Sequence, residues 1–562
     1  MLSWEWAPGA ISLSLGDGMT TMDIVKPQRV PVHSRAFAFQ VSGSVVDQSG
    51  QPMAGVTVAL QHTTIGTLTD AKGNYTLDLP DGNGTLIFSF ISYTTKEVAV
   101  NGQSVINVQM TSSISELNQV VVTGYSSQKK KDITGSVDVV DMAAVKSIPS
   151  GSAAQALQGQ ASGVTIINSG APGGGSNVFI RGITSFGDTQ PLVLIDGVPS
   201  SLQDISPDNI ASIQVLKDAG AAAIYGVRGS NGVIIITTKK GKNGTPKVVY
   251  DAYYGYQVPP SGNVLNIANA EDYAQFVYKM DPNTELFPGG TVPDYTYAGP
   301  GVNGIGNAGD PAVDPSKYVF DRSNPSSDYL IQRLNQSRTD WFHEIFKPAP
   351  MQSHNLTVSG GSDKSNYLLS LGYFDQQGTL IQTYLKRYSV RINTEFNISD
   401  HIRIGENAYA FYKQNPPFSN QDQDNAIFFA YTMPSFIPVH DIKGNYGGTW
   451  IGPEEMGNRW NPVALMNNTV NNKANAWDVV GNVYGEVDFL RHFTVRSSFG
   501  GTIDNQYNYN FMPNRYQDRE QHNLINSYNE NALYNSSWIW TNTLTYKQSF
   551  GKHDIKVLAG SE

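Results

Sequence analysis

The sequence predicts a mainly β protein in three successive parts: a small β-sandwich, an α/β segment and a series of long antiparallel strands. Three observations carry that prediction. Short apolar runs separated by Gly, Pro, Asn and Asp turns fill residues 40–110. From residue 247 onward, alternating segments of about nine to fifteen residues recur. No run approaches the roughly 18 apolar residues of a membrane-spanning helix, and the longest apolar stretches, 86–91 and 233–236, are strand-sized. Composition agrees. The 562 residues contain no cysteine, 54 glycines, 29 tyrosines and only 15% charged side chains, so disulfides and thiolate metal sites are excluded and turns are plentiful. A net charge of −10 with dispersed Lys and Arg excludes nucleic acid as a partner, and Lys129, Lys130 and Lys131 form too short a cluster to change this.

Residues 1–38 are an unassigned leader or a damaged signal region: Ala36-Phe37-Ala38 has the form of a cleavage site, but no apolar segment of secretory type precedes it, and a disordered soluble tail in which A-F-A is chance fits equally well. Residues 39–111 read as the sandwich, with turns at 48–52, 71–74 and 80–84. It contains neither a Ser/His/Asp set nor a ligand cluster, which suits a spacer or interaction module. Residues 112–135 form a polar linker holding three consecutive valines, Val120, Val121 and Val122. Such a run either completes the preceding sandwich or adds itself to the edge of another protein's sheet, and composition alone favours the first.

Residues 136–245 have α/β texture: a helix over 153–160, a strand at 164–168, a glycine-rich turn at 170–175, strands NVFIRGI and PLVLIDGVP, a helix or strand through IASIQVL, the small-residue run DAGAAAIYG, and strand GVIIITTKK. The glycine-rich turn lacks the Lys-Ser/Thr of a phosphate-binding loop and does not fit G-x-G-x-x-G, so it reads as a tight loop. Asp196 reads as a hairpin-turn residue rather than a catalytic acid.

Residues 246–562 contain about nine strands. In one, Tyr388, Val390, Ile392, Phe396 and Ile398 share a face opposite Arg387, Ser389, Arg391, Asn393, Glu395 and Asn397; in another, Trp477, Val479, Val483, Val487 and Phe489 oppose Asp478, Asn482, Glu486 and Asp488. Soluble sandwiches also alternate, so periodicity alone does not separate them from a transmembrane barrel. Connection length does. Tight links at 361–364, 399–400, 490–492 and 550–552 alternate with long ones at 259–351, 415–476 and 506–533, apart from one short link after Phe374, and that is the loop pattern of an outer-membrane barrel. Tyr253, Tyr254, Tyr256, Tyr373, Tyr412, Trp477 and Trp538 are candidates for its interfacial aromatic girdles.

In this order of parts the chain resembles the SusC/RagA family of TonB-dependent outer-membrane transporters. The motifs carrying the resemblance are GSVVDQSGQPMAGVTV and TDAKGNYTLDL of a carboxypeptidase-regulatory-like domain, ELNQVVVTGY of a Ton box, and QALQGQASGVTI, NVFIRG, PLVLIDGVP and DNIASIQVLKDAGAAAIYGVRGSNGVIIITTKKG of a plug. The resemblance reverses the compositional reading of the valines. It implies that Val120, Val121, Val122, Thr123, Gly124 and Tyr125 pair as an added strand with the energy-coupling protein TonB. It also implies that Arg181, Gly182, Asp196, Gly197, Tyr225, Gly226, Arg228, Gly229, Asn231 and Gly232 belong to the plug motif. The implied function is active import of oligosaccharides, or peptides in some members, across the bacterial outer membrane. A SusD-like surface lipoprotein is the implied partner, outer-membrane lipid the surroundings, the N-terminal domains are periplasmic, and no cofactor or covalent chemistry is involved. Trp341, Trp450 and Trp460 in the long loops are candidate stacking surfaces for substrate. Asp422 and Asp424 are too few oxygen ligands for calcium.

About nine strands fall short of the even-numbered single-chain barrels, and VLAGSE lacks a terminal aromatic, so the chain is expected to be an N-terminal portion truncated within the barrel. A secreted or surface β-rich glycan-binding protein or adhesin would share the strands and acidity, but explains neither the α/β segment nor the alternating loop lengths. A glycoside hydrolase would need two convergent carboxylates, and no spacing selects a pair.

Overall fold

The computed structural model describes residues 39–562 apart from 48–49, 62, 91–92, 94, 111–119, 124–125, 130–134, 184–186, 204, 417–424, 513–524 and 552. The chain divides into two units at Gln119/Val120. The leader with Ala36-Phe37-Ala38, and the Asp422–Asp424 pair, lie outside the described residues.

The first unit is a two-sheet sandwich. Strands β1 (Phe39–Val46), β4 (Asn74–Leu79) and β7 (Val108–Gln109) make one sheet in the order β4-β1-β7, and β2 (Thr57–Leu60), β3 (Gly66–Leu68), β5 (Thr85–Ser89) and β6 (Lys96–Ala99) make the other in the order β3-β2-β5-β6. Alternation decides which side chains meet: Val41, Val45, Val58, Leu77, Leu79, Leu86 and Phe88 are buried between the sheets. Phe88 meets Tyr75 edge-on at 5.5 Å. The Tyr75 hydroxyl donates to the Ile106 carbonyl at 2.9 Å, and burial pushes its pKa up to about 12. Strand β7, at two residues, is too short to carry a periodicity in the sequence.

The turn into β4 is an Asx-type hairpin. The Asp70 carboxylate accepts from the amides of Lys72 and Asn74, both at 2.8 Å, and Gly73 takes φ 77°. The same D-x-K-G-N-Y string recurs at 441–446, where Asp441 accepts from Lys443 at 2.8 Å and Asn445 at 2.9 Å and Gly444 takes φ 87°. One local code thus builds the same turn twice, in a sandwich and in a barrel loop.

In the second unit, β8 (Val120–Thr123) and β9 (Ser126–Lys129) form an antiparallel hairpin with Val120 opposite Lys129 and Thr123 opposite Ser126. The valine run therefore pairs locally and does not extend a sandwich sheet, which corrects the compositional reading.

The α/β segment is a five-stranded sheet in the order β10-β15-β16-β13-β14, from β10 (Val137–Val139), β13 (Leu192–Ile195), β14 (Val198–Pro199), β15 (Ile210–Leu216) and β16 (Val233–Thr238), with a separate hairpin of β11 (Val164–Asn168) and β12 (Ser176–Ile180). IASIQVL is thereby a strand. Helices α1 (Met142–Lys146), α2 (Ala153–Leu157) and α3 (Ala219–Ala222) are short and capped by Asp141, Ser152 and Asp218. The helix expected over 153–160 stops at Leu157, two residues before Gly159 at φ 74°. The 170–175 turn is the tight loop joining β11 to β12: the Ser169 amide donates to the Gly175 carbonyl at 3.1 Å. Val145, Leu157, Ile166, Ile213, Ile234 and Ile236 belong to the core of the segment.

The remaining chain builds one nine-stranded antiparallel meander: β17 (Gly244–Gln257), β21 (Ala349–Gly361), β22 (Ser365–Gln377), β23 (Tyr384–Ser399), β24 (Ile402–Gln414), β25 (Lys473–Phe489), β26 (Phe493–Met512), β27 (Ser527–Phe550) and β28 (His553–Ser561), paired in chain order. The expected long link at 506–533 shrinks to 513–526, because the Tyr/Asn alternation continues both strands past the length that crosses a bilayer. The link after β17 folds as β18 (Tyr295–Gly299), β19 (Val302–Gly306) and β20 (Leu330–Arg333) with α4 (Ala270–Met280) and α5 (Trp341–Ile345). The second long link adds α6 (Ala426–Thr432) and α7 (Pro462–Asn467).

Candidate functional site

The meander is polarised opposite to a soluble sandwich. On β23, Tyr388, Val390, Ile392, Phe396 and Ile398 are exposed, the last at 61%, whereas Arg387, Arg391 and Asn393 are buried, Arg391 at 2%. On β25, Trp477, Val479, Val483, Val487 and Phe489 are exposed while Asp478 and Asn482 are buried. Apolar outside and polar inside is the face assignment of a lipid-embedded barrel wall.

Across six neighbouring strands the outer face carries a row of rings: Tyr250 on His354 (6.1 Å), His354 on Tyr373 (6.1 Å), Tyr373 on Tyr388 (5.1 Å), Tyr388 on Tyr412 (6.5 Å) and Tyr412 on Trp477 (4.4 Å). It is a girdle of the kind found at membrane interfaces. Of the expected members, Tyr373, Tyr412 and Trp477 join this row. Tyr254 and Tyr256 are exposed and pair with each other, and Trp538 stacks on Phe499 instead. Tyr253 is corrected: it packs against the buried cluster of Met351, Phe374 and Leu385.

The α/β segment docks on the polar face. Asp196 and Gly197 take φ 49° and 88°, the pair of positive values that a two-residue hairpin turn requires, so the turn reading of Asp196 is right. Its carboxylate has a second task that the sequence did not disclose. It accepts from the Thr238 amide at 3.0 Å and from the Thr238 hydroxyl, and sits 3.6 Å from the Arg391 guanidinium on β23. Arg391 also donates to the Asn209 carbonyl at 3.2 Å and to Thr238 Oγ1. Beside it, Asn482 donates to the Asp196 carbonyl at 2.7 Å, Asn407 to Asn482 at 2.9 Å, and Asn393 to Asn407. Three adjacent wall strands thus supply a chain of amides ending on the hairpin turn. Gly500 on β26 admits the hairpin: a Cβ there would lie 2.8 Å from a Val198 methyl. Next to this contact a cavity of about 850 Å³ lies between the hairpin, the 224–228 stretch and the inner faces of β25–β28.

The other plug-motif residues shape turns. Arg181 and Gly182, at φ 58° and 94°, end β12, and the Arg181 amide donates to the Gly163 carbonyl at 2.8 Å. Tyr225, Gly226, Arg228 and Gly229 lie in a 3-10 stretch, Ala223–Gly229, broken at Gly226 by φ 57°. Asn231 donates to the carbonyls of Asp188 (2.8 Å) and Gln190 (3.2 Å). Gly232 keeps φ 88° where a Cβ would strike Ile180.

Upstream, β10 is the edge strand, held to β15 by three residue pairs. It is clamped by Lys217, whose ammonium donates to Asp138 (2.9 Å), the Ser162 hydroxyl (2.8 Å) and the Ser162 carbonyl (2.7 Å). Burial opposes the charge on Asp138, yet Lys217 and the Ser162 donors outweigh it and hold the carboxyl below its usual range. The valine strand β8 and its hairpin partner precede this edge in the chain. Gly124, Tyr125, Lys130 and Lys131 lie outside the described residues.

The loop tryptophans do not form an open platform. Trp341 is 1% exposed in a core with Phe287, Phe436 and Ile345, its indole donating to the Pro434 carbonyl at 3.1 Å. Trp450 is buried against Leu330 and Ile451. Both are core residues, because a loop of this length must bury its own aromatics to hold a shape. Trp460 is half-buried and stacks on Phe429 at 5.7 Å. Among the described residues no group of three or more His, Asp or Glu side chains could hold a metal ion, and no helix is long and apolar enough to cross a membrane.

An outward-apolar meander whose polar face grips an internal α/β domain defines a plugged outer-membrane barrel architecture. Residues 129–233 match the TonB-dependent Receptor Plug Domain family and residues 41–122 the CarboxypepD_reg-like domain family. TonB-dependent receptor P3 of Formosa agariphila is 30% identical over 551 residues, covering 94% of this chain and 48% of that protein. TonB-dependent receptor SusC of Bacteroides thetaiotaomicron is 29% identical over 572 residues, covering 94% and 50%. The RagAB peptide importer in its open-open state matches with a TM-score of 0.64 at 26% identity, over 79% of this chain and 48% of that one. The chain is a SusC/RagA-like TonB-dependent receptor chain, and it spans about half the length of the relatives it matches.

Proposed function

We propose that the whole protein imports oligosaccharides or peptides across the bacterial outer membrane, powered through TonB and partnered by a SusD-like surface lipoprotein. The observation that carries this reading is the polar grip of the wall on the plug, Arg391 on Asp196 and Asn482 on the same turn, inside a sheet whose outer face is apolar. A wall made this way needs a stopper, and the stopper is held by polar contacts that water can replace.

In this reading Val120–Tyr125 is the segment that TonB takes by β-augmentation. Strand β8 uses one edge for β9, and its β-branched residues favour the extended backbone that a further strand on the other edge would pair with. Tension on that strand reaches Ser136 and then β10, the edge of the plug sheet, so β10 and its Lys217 clamp are the first elements loaded. Movement of the plug away from Arg391 and Asn482 opens a path along the polar wall. The chain itself performs no covalent chemistry. Its substrate contacts are assigned to the external loops, with Trp460 the one of the three tryptophans that retains exposed ring surface.

The test is deletion of Val120–Tyr125 in the whole protein, with uptake and membrane insertion measured separately. Uptake should vanish while a heat-modifiable band persists in the outer-membrane fraction; unchanged uptake refutes the coupling role. Recovery of the undeleted protein in the soluble periplasm refutes the barrel itself.

A further inference from the structure

Arg387 is a wall charge that no described group answers. It sits on the inner face of β23, 5% exposed, and makes no hydrogen bond or ion pair among the described residues; its contact is the Phe374 ring, whose centroid lies 5.7 Å from the guanidinium carbon. A guanidinium does not shed its proton, so burial cannot neutralise it. A buried charge without a partner is strongly disfavoured, and a ring face offsets only part of that. The neighbouring strand adds to the imbalance: Lys413 on β24 is the direct cross-strand partner of Arg387, and like charges opposite each other on one sheet face repel. Lys413 has Asp478 at 3.8 Å. Arg387 has no such carboxylate among the described residues.

Arg387 and Lys413 line a second, small cavity of about 20 Å³ between wall and plug. Leu385 and Phe411 make its apolar side, Ser152, Gln155 and Gln203 of the plug bring a hydroxyl and two amides, and no carboxylate is among its described lining. The 170–175 loop closes it. Asn415 donates to the Pro172 carbonyl at 3.1 Å, and Gly173, at φ 66°, passes where a Cβ would come 2.5 Å from the Asn415 amide nitrogen, so glycine is what lets the loop seat here. A water needs about 10–15 Å³ of such space, so the cavity takes a particle of roughly that size and excludes sulfate, phosphate or a cargo carboxyl group. A water would satisfy the donors and leave the charge. A monatomic anion satisfies both, and low-dielectric walls strengthen its attraction to the guanidinium.

We infer that Arg387 holds one chloride ion in this cavity, and that the ion ties the plug to the wall by accepting from the guanidinium on one side and from the plug donors Ser152, Gln155 and Gln203 on the other. The site is separate from the Arg391–Asp196 grip and does not depend on the import reading. Arg391 is answered by a plug carboxylate. Arg387 is answered by a diffusible anion, so the hold on the plug at this place follows the chloride concentration.

Line broadening of the chloride NMR signal tests it, on the purified full chain in detergent, with chloride titrated against gluconate at constant ionic strength. The broadening should saturate below about 0.15 M chloride. Bromide should displace the ion, and sulfate, too large for the cavity, should not. Arg387→Gln should weaken binding about tenfold or more. Arg387→Lys should keep a measurable part of it, which separates charge from folding, and Lys72→Gln in the sandwich should leave it unchanged. For the tie, a Ser150→Cys reporter beside Gly151, which lines the cavity, should be labelled by a maleimide about threefold or more slowly in chloride than in gluconate, and at equal rates in both once Arg387→Gln is added. No saturable broadening in the parent, displacement by sulfate at equal ionic strength, or equal affinity in Arg387→Gln and the parent overturns the site. So does saturable binding that appears only in Asp204→Asn, since the counter-charge is then the chain's own. Binding with labelling rates unchanged by chloride overturns the tie.

Discussion

The Arg391–Asp196 contact offers the sharpest quantitative test of how the plug is held. At 3.6 Å and an effective dielectric of about 20, the attraction is roughly 4–5 kcal/mol, offset by the cost of removing both charges from water. The two single changes are therefore unequal. Asp196→Asn leaves a guanidinium 2% exposed without its counter-charge and should cost about 3–5 kcal/mol of docking. Arg391→Met leaves a carboxylate that still accepts from both Thr238 donors and should cost about 1–3 kcal/mol. The double variant buries no charge there, so its cost should fall below the sum by about 0.5–3 kcal/mol. Because the chain has no cysteine, a Ser200→Cys reporter beside the hairpin turn can be labelled by a maleimide without background. The labelling rate then follows local opening of the hairpin. Asp196→Asn should raise it about 100-fold or more, since roughly 1.4 kcal/mol is a factor of ten. A rise below about threefold, or a double variant worse than the sum, would refute the reasoning.

Three further outcomes are expected. Gly73→Ala should cost about 2–4 kcal/mol, because φ is 77° and the new Cβ would lie 2.6 Å from the Val45 carbonyl oxygen. Its twin Gly444→Ala, with φ 87° and nothing within 4 Å, should cost about 1–2 kcal/mol; hydrogen exchange around each turn ranks them. His343 has its pKa raised by its hydrogen bonds to Asp340 (2.8 Å) and the Pro260 carbonyl (2.9 Å). The stability it lends the loop is thus complete below about pH 6.5 and is lost as pH rises through its elevated folded value; solvent screening keeps it below about 1 kcal/mol. Protection factors at 258–262, which divide out the intrinsic base catalysis of exchange, should therefore fall above neutrality in the parent and be independent of pH in His343→Gln. Val483→Lys on the outer face should cost about 2–4 kcal/mol in folding titrations into bilayers if lipid covers that site. A cost below about 0.5 kcal/mol would mean that water does.

Much of this fold was legible because its period is short. The alternation of β23 and β25 placed every side chain on the correct face, and the D-x-K-G-N-Y turn could have been read twice, although only its first occurrence was marked as a turn. What alternation could not supply was the sign of the faces, since apolar residues inside a sandwich and outside a barrel have the same period; the buried Arg391 beside exposed Ile392 decides it. The grip on the plug was half legible. Arg391, Asn393 and Asn482 were assigned to polar faces, and Asp196 to a turn, but nothing in spacing joins residues 195 positions apart. The tryptophans show the opposite failure: Trp341 looks like a loop aromatic in the sequence and is core, because the loops fold into a domain with its own hydrophobic centre.

The distribution of polar and apolar contacts explains how a plug can be both stable and removable. Its own core is apolar, with Val145, Leu157, Ile213 and Ile236 fully buried, so the segment has internal cohesion at about 1.5–3 kcal/mol per large side chain. Its bond to the wall is mostly hydrogen bonds together with the ion pairs Arg391–Asp196 and Arg228–Glu562, each contact worth about 0.5–1.5 kcal/mol net, or somewhat more where charged, because water can take the place of either partner. Apolar contacts add to these where Gly151 meets Phe374 and Leu385 and where Val198 packs on Gly500. On the proposed reading, a pull arriving at β10 would meet a domain whose core resists and an interface that rehydrates, a balance that favours the plug letting go of the wall before its core comes apart.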